Sequence, residues 1–155
     1  MVSPLLLNKI FKEEYIPDNS GLKLHVYRVY EFVSDGALLR NERSIPEYRE
    51  VPSDNDTYIL GKGAYIVRYK EYVRIPKNMI ALTIPRSSLL RMGATIHTAV
   101  WDSGYEGQGI GLLVVFNEHG IRLSKGTHVA QLVFFKVLGE SLTYEGIYKG
   151  EKEES

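Results

Sequence analysis

The 155-residue chain contains no cysteine. That excludes disulfide frameworks, cysteine nucleophiles and cysteine-containing zinc sites, including those of the zinc nucleobase deaminases, which need a His/Cys/Cys or Cys₃ set. The absence is neutral on redox compartment. An excess of charge of either sign is missing too, since Lys plus Arg and Asp plus Glu both total 19. Nothing in that balance points to duplex nucleic acid or to a polybasic membrane anchor, and a free small ligand fits better. Long apolar runs are absent. The N-terminal MVSPLLLNKIFKEEY has three consecutive leucines before Asn8 and Lys9, too few for a signal h-region, and no later run approaches a membrane span. The expectation is a soluble, cytoplasmic protein without a membrane partner. Familiar catalytic signatures are also missing: there is no GxSxG elbow, no Walker loop and no GxGxxG after a strand. GYEGQGIG is glycine-rich but has the wrong spacing for a dinucleotide turn. No HExxH or similar spacing joins His97 to His25, His119 or His128.

What is present is strand pattern. In Leu22 to Phe32 the even positions Leu22, Leu24, Val26, Tyr30 and Phe32 are apolar, with Arg28 the exception, which is the period of a half-buried strand. Tyr65, Val67, Tyr69, Val73 and Ile75 repeat the pattern, interrupted by Glu71. MIALTI (79–84), IGLLVVFN (110–117) and HVAQLVFFKV (128–137) are apolar runs separated by Gly-, Pro- and Asn-containing turns. Two short helices are expected, SPLLLNKIFKEEY with Ser3 as N-cap and Pro4 in the first turn, and RSSLLRMG stopped by Gly93. Residues 41–56 form a polar excursion, and the charged tail from about residue 144 is expected to fray. The chain suits one all-β domain of barrel or jelly-roll type.

Chemistry concentrates in IPRSSLLRMGATIHTAVWDSGYEG, from Ile84 to Gly107. Arg86, Ser87 and Ser88 follow a proline and open the short helix, so backbone N–H groups, two hydroxyls and a guanidinium converge on one point, a set that suits phosphate oxygens. The alternative is that Ser87 caps the helix and Arg86 is an ordinary surface residue. Asp102 stands before a glycine-containing turn, either holding a water or closing an Asx-turn. Tyr105, flanked by Gly104 and Gly107, either lays its ring on a sugar or belongs to the core. His97 alone is more often a packed histidine than a ligand. Gln131 is a polar residue inside an apolar strand, and a buried amide needs partners. Arg91 and Lys149 are further cationic candidates.

PRSSL, AVWDSGYEG and KGTHVAQLVFF, in that order, resemble motifs two, three and four of the dUTPase and dCTP deaminase superfamily, and especially its archaeal dUTPase-like branch. The resemblance extends from about Gly21 to Phe135. It implies a distorted β barrel, usually a homotrimer with sites between subunits, that converts dUTP and water to dUMP and pyrophosphate with Mg²⁺. It further implies that Arg86, Ser87, Ser88 and Gln131 hold the phosphate chain and that Asp102 orients or deprotonates the attacking water. Tyr105 would pack against the deoxyribose where a 2′-hydroxyl would clash. Backbone groups along Ile96, His97, Thr98, Ala99 and Val100 would read the uracil edge.

Three features depart from the superfamily pattern. Its first motif usually reads Gly-x-Asp-Leu, the Asp holding metal-bound water, whereas this chain has GLKL with Lys23 at that place, so the metal ligands are unknown. The glycine-rich fifth motif that closes over the phosphates in many dUTPases is missing, and YEGIYKG stands instead. The deaminase branch needs a catalytic Glu in the strand after the Gly-Tyr-Glu-Gly loop, and IGLLVVFN has no carboxylate. Deamination needs a group that shuttles protons to the exocyclic amine, so a dCTP deaminase is disfavoured. The alternative from another class is a nucleotide-binding protein without turnover, in which Lys23 partly replaces Mg²⁺.

Overall fold

The structure, a computed structural model, describes residues 1–3, 5–7, 16–140 and 142–152. Fourteen strands are present among them: β1 (Leu22–Phe32), β2 (Ala37–Leu38), β3 (Arg43–Ser44), β4 (Tyr48–Glu50), β5 (Ser53–Asp54), β6 (Thr57–Leu60), β7 (Gly63–Tyr69), β8 (Val73–Arg74), β9 (Met79–Pro85), β10 (Ala94–His97), β11 (Glu106–Gly107), β12 (Ile110–Val115), β13 (Ile121–Ser124) and β14 (His128–Lys136). The main sheet runs β10-β12-β7-β1-β14-β9, all pairs antiparallel, with β4 added to the far end of β1. Its two ends meet where Ala81 of β9 and Trp101, beyond β10, exchange backbone hydrogen bonds of 3.0 Å. The result is a nearly closed barrel, as expected for an all-β chain. The Ala81–Trp101 contact pairs only part of the two end edges that an open sheet would leave free.

Inside, Leu24, Val67, Tyr69, Ala81, Leu113, Leu132 and Phe134 are fully buried. Strand β12 alternates cleanly, with Leu113 and Val115 inside and Leu112 outside. The Arg28 exception in β1 has a physical cause. The register against β7 shifts between Val26 and Arg28, and a second irregularity against β14 lies between Leu24 and His25. The first adds Tyr27 to β1, so the inward parity of that strand changes and Val29 takes the core position, while the second adds Val129 to β14.

Two expectations need correction. The pattern from Tyr65 to Ile75 is not one strand but β7 followed by β8, and β8 pairs with β11 in a separate ribbon. The break falls at Glu71, whose carboxylate turns back to accept from the His25 backbone N–H (2.9 Å) and faces the His25 ring. The polar excursion contains β3, which pairs back with β2 just before it, and β4 and β5, short strands whose polar sequences give no apolar alternation. The helix before Gly93 is Ser87–Arg91, and Gly93 ends it at φ +76°. At the N-terminus Leu5–Leu7 are helical and the Ser3 carbonyl accepts from the Leu6 and Leu7 N–H groups at 3.0 Å. Positions 4 and 8–15 of that expected helix lie outside the described residues, as do 141 and 153–155.

Candidate functional site

Strand register places the residues singled out from sequence in two groups. The first is set by β1, β14 and β9, where Lys23 lies directly opposite Gln131 and Gln131 directly opposite Ile84. Residues opposite one another in antiparallel strands share a face. Here it is the outer face, with Lys23 and Gln131 half-buried and Ile84 exposed. Arg86 follows Ile84 by two residues, its N–H donating to the Val129 carbonyl at 2.9 Å. The guanidinium is exposed, as are Ser87 and Ser88. Arg86, not Ser87, occupies the N-cap position, and no side chain caps the helix. The two serine hydroxyls are therefore not consumed by capping.

The second group surrounds the turn after Trp101. Tyr105 N–H donates to the Asp102 carbonyl at 3.0 Å, with Gly104 at φ +76° in the corner. The hydrogen bond that closes this turn runs to the backbone of Asp102, not to its carboxylate, so the acid is exposed and uncommitted among the described residues. An Asx-turn would have used the side-chain oxygen. Ser103 is buried, its hydroxyl donating to the Met79 carbonyl at 2.7 Å. Tyr105 is only 9% exposed, held edge-to-face between Trp101 (centroids 5.4 Å) and Tyr144 (5.6 Å). Burial, with the Glu151 carboxylate adding to it, raises its phenol well above the ordinary range, so the hydroxyl stays protonated. The ring is part of the core cluster.

Trp101 organises this group. Its indole N–H donates to Thr83 Oγ1 at 2.8 Å, tying the turn to β9. The ring lies so close over Gly109 that a Cβ there would run into it. Trp101 is the sole tryptophan of the chain.

Between the groups, the barrel seam is open. From His97, the last residue of β10, the chain passes through Thr98, Ala99 and Val100 to the Ala81–Trp101 pair without a strand partner. Among the described residues the backbone groups of Thr98, Ala99 and Val100 make no hydrogen bond. They are an unfilled strand edge, the arrangement that can pair with the polar edge of a flat ligand. His97 itself is exposed, not packed.

One chain does not bring the two groups together. Trp101 pairs with Ala81, and the chains run antiparallel, so Asp102 lies beyond Ala81 in the direction away from Arg86. Arg86 is five residues past Ala81, which at strand rise is roughly 17 Å or more from the Asp102 turn.

Sequence reading missed a third set. His25 Nδ1 and Glu71 Oε1 are 2.5 Å apart, the His25 and His128 rings are 5.6 Å apart, and His128 Nε2 is 3.5 Å from Asp18 Oδ2. Burial lowers the His128 pKa from its ordinary value, the Arg86 charge lowers it further, and Asp18 partly opposes them. Glu71 and Arg28 were visible only as interruptions of apolar alternation. The C-terminal segment was expected to fray. In the structure Tyr144 N–H donates to the Ser103 carbonyl (2.7 Å), Gly150 N–H to the Glu106 carbonyl (2.8 Å), and Gln108 N–H to the Glu151 carbonyl (2.7 Å). Lys149 faces Glu145, not the turn, and no helix among the described residues is long and apolar enough to cross a membrane.

Magnesium prefers octahedral oxygen ligands, usually one or two carboxylates with phosphate oxygens and water. Among the described residues no group of three or more His, Cys, Asp or Glu is placed to hold a metal ion. Asp18 accepts from the Asn19 N–H at 2.9 Å and faces His128, while the first-motif place carries an ammonium. The described residues do not fit a protein-held Mg²⁺.

The sequence model of the dCTP deaminase-like family matches residues 9–137. A probable deoxyuridine 5′-triphosphate nucleotidohydrolase of Methanosarcina acetivorans is 40% identical over 151 residues, covering 95% of this chain and 88% of that protein. The deoxyuridine 5′-triphosphate nucleotidohydrolase of Methanocaldococcus jannaschii is 42% identical over 143 residues, covering 90% of each. Among solved structures, the 2′-deoxycytidine 5′-triphosphate deaminase of Agrobacterium tumefaciens superposes with a TM-score of 0.68 over 89% of this chain at 16% identity, which speaks to fold alone; this chain spans 47% of that one. A matched family model that takes in both residue groups and the seam between them, with relatives of nearly the same length, makes this chain a member of the dCTP deaminase-like family.

Proposed function

We propose that the chain is a dUTP diphosphatase, hydrolysing dUTP to dUMP and pyrophosphate in the cytoplasm as a homotrimer. The observation that carries the reading is the free, exposed Asp102 carboxylate beside an unfilled strand edge, with the phosphate-binding set at a separate place on the barrel. The names of the Methanosarcina and Methanocaldococcus relatives support the substrate.

The uracil edge pairs with backbone groups of Thr98, Ala99 and Val100, and Tyr105 lies against the deoxyribose, leaving no room for a 2′-hydroxyl. Asp102 accepts a proton from the attacking water or holds it in line, work suited to a carboxylate ionised at neutral pH. Arg86, Ser87, Ser88 and Gln131 hold the phosphate chain, the guanidinium absorbing charge as the phosphorus–oxygen bond breaks. No step is routed through Mg²⁺.

Because Asp102 and Arg86 are far apart in one chain, a complete site needs Asp102 of one subunit and Arg86 of a neighbour. A subunit face is on hand around the seam. Leu82, Ile84, Val100, Leu112 and Phe116 are all exposed there, an apolar row on the outside of a barrel whose core is already filled. The deciding experiment is a panel of dUTP, dCTP, dTTP and UTP incubated with Mg²⁺, with separation of the products. The expected result is dUMP and pyrophosphate from dUTP, poor use of UTP and dTTP, and no dUTP formed from dCTP. Appearance of dUTP from dCTP overturns the assignment, and tight dUTP binding without turnover makes the chain a nucleotide-binding module.

A further inference from the structure

Lys23 sits where a carboxylate is expected, and the sheet fixes what surrounds it. It faces outward beside Gln131, while Leu22 and Leu24 on either side of it are buried at 1% exposure. Arg86 reaches the same side of the barrel from the end of β9. Among the described residues Lys23 has no ion pair and the Gln131 amide no hydrogen bond. Both residues are half-buried on the outer face, and their polar ends, without a protein partner among the described residues, are open to a group that completes them. The groups that would complete both are anionic oxygens. Among the described residues no carboxylate takes that part, since Asp18 faces His128 and Glu71 faces His25.

From the dUTP reading above, we infer that Lys23 binds the triphosphate chain directly, as a built-in counter-charge beside Arg86 and Gln131. It takes over at that place the charge neutralisation that a carboxylate and a metal-bound water would otherwise arrange. A lysine ammonium is a compact point charge suited to phosphate oxygens. It repels a divalent cation at contact distance, so the two do not share the place. Binding of the triphosphate is then less dependent on Mg²⁺ than in a protein with an acid at position 23.

The test is equilibrium binding of a dUTP analogue whose α,β-bridging oxygen is replaced by NH, measured calorimetrically in EDTA and in Mg²⁺. The full-length protein and its Lys23→Gln, Lys23→Arg and Lys23→Glu variants are compared, with deoxyuridine, which has no phosphate, as the reference ligand followed by ligand-observed NMR. In EDTA the unaltered protein and Lys23→Arg bind the analogue, and Lys23→Gln binds it at least about tenfold more weakly, the size expected for one lost charge-assisted contact. Deoxyuridine binding is unchanged in all four. Lys23→Glu loses the analogue in EDTA and regains it with Mg²⁺. Should Lys23→Gln not fold, Lys23→Arg against Lys23→Glu makes the same comparison. Unchanged analogue binding by Lys23→Gln in EDTA, or an equal loss of analogue and deoxyuridine, overturns the inference and leaves the dUTP reading standing. Failure of the unaltered protein to bind either ligand overturns the dUTP reading and this inference with it.

Discussion

Arg68, buried near the end of β7, donates to the Glu151 carboxylate at 2.7 Å and to the Gln108 carbonyl at 2.8 Å. The last described turn of the chain is thereby fastened across the loop that carries Asp102 and Tyr105. A buried guanidinium needs acceptors, and the tail supplies one only when it is docked.

Glu151→Ala is expected to lower stability by about 1–3 kcal/mol, below the range for a fully buried pair because the Glu151 side chain keeps 27% of its exposure. Urea unfolding gives the value. The amides of Gln108 and Gly150, which hydrogen-bond across the same junction, should exchange faster in the variant. Unchanged stability together with unchanged exchange would show that the backbone contacts alone hold the tail.

Asp102→Asn keeps the size of the side chain and removes its charge. Turnover of dUTP should fall by about two orders of magnitude or more while binding of the non-hydrolysable analogue survives. Normal hydrolysis by this variant would reduce Asp102 to a turn residue.

The separation of Asp102 from Arg86 makes a prediction about mixed assemblies. Asp102→Asn and Arg86→Ala should each be nearly inactive as pure proteins. Unfolded together and refolded, they should recover activity in about a quarter of the sites if each site takes one residue from each of two neighbouring subunits. Light scattering should report a trimer. A stable, active monomer would refute the shared site.

His128 gives the protein an acid-sensitive element. Its pKa is lowered in the folded state, first by burial and then by Arg86, from an ordinary value of 6.5. Between the folded and unfolded values the unfolded chain binds the proton and the folded chain does not, so stability is full above about pH 6.5 and declines as pH falls through that window. His128→Gln should flatten the decline. Urea midpoints from pH 7.5 to 5 measure it, and parallel curves for the two proteins would place the acid sensitivity elsewhere.

Trp101→Ala should cost about 3–5 kcal/mol, because it removes a buried aromatic ring. Thr83→Val removes only the acceptor of the indole N–H and should cost about 1 kcal/mol. Comparable losses in the two variants would mean that the hydrogen bond, not the ring, closes the seam.

The local alternation of Leu22, Leu24 and Val26, the apolar runs of β9, β12 and β14, and the glycine stop at Gly93 were all legible in the sequence, because each depends on neighbours a few residues away. So were the three motifs, which stand in linear order, and the family follows from them. Where the pattern broke, at Arg28 and Glu71, the sequence marked the place but not the cause. A bulge and an acid turned toward His25 depend on partners 40 or more residues away. Only the tertiary structure decided that Asp102 keeps its carboxylate free of the turn, that Thr98 to Val100 form an unfilled edge, and that the tail's Glu151 meets Arg68 across 83 positions. It also decided that Asp102 and Arg86, 16 residues apart in the chain, stand apart in the fold. Barrel closure at Ala81 and Trp101 sets the edge and keeps the two groups apart, and no short stretch of sequence contains the register of a closed sheet.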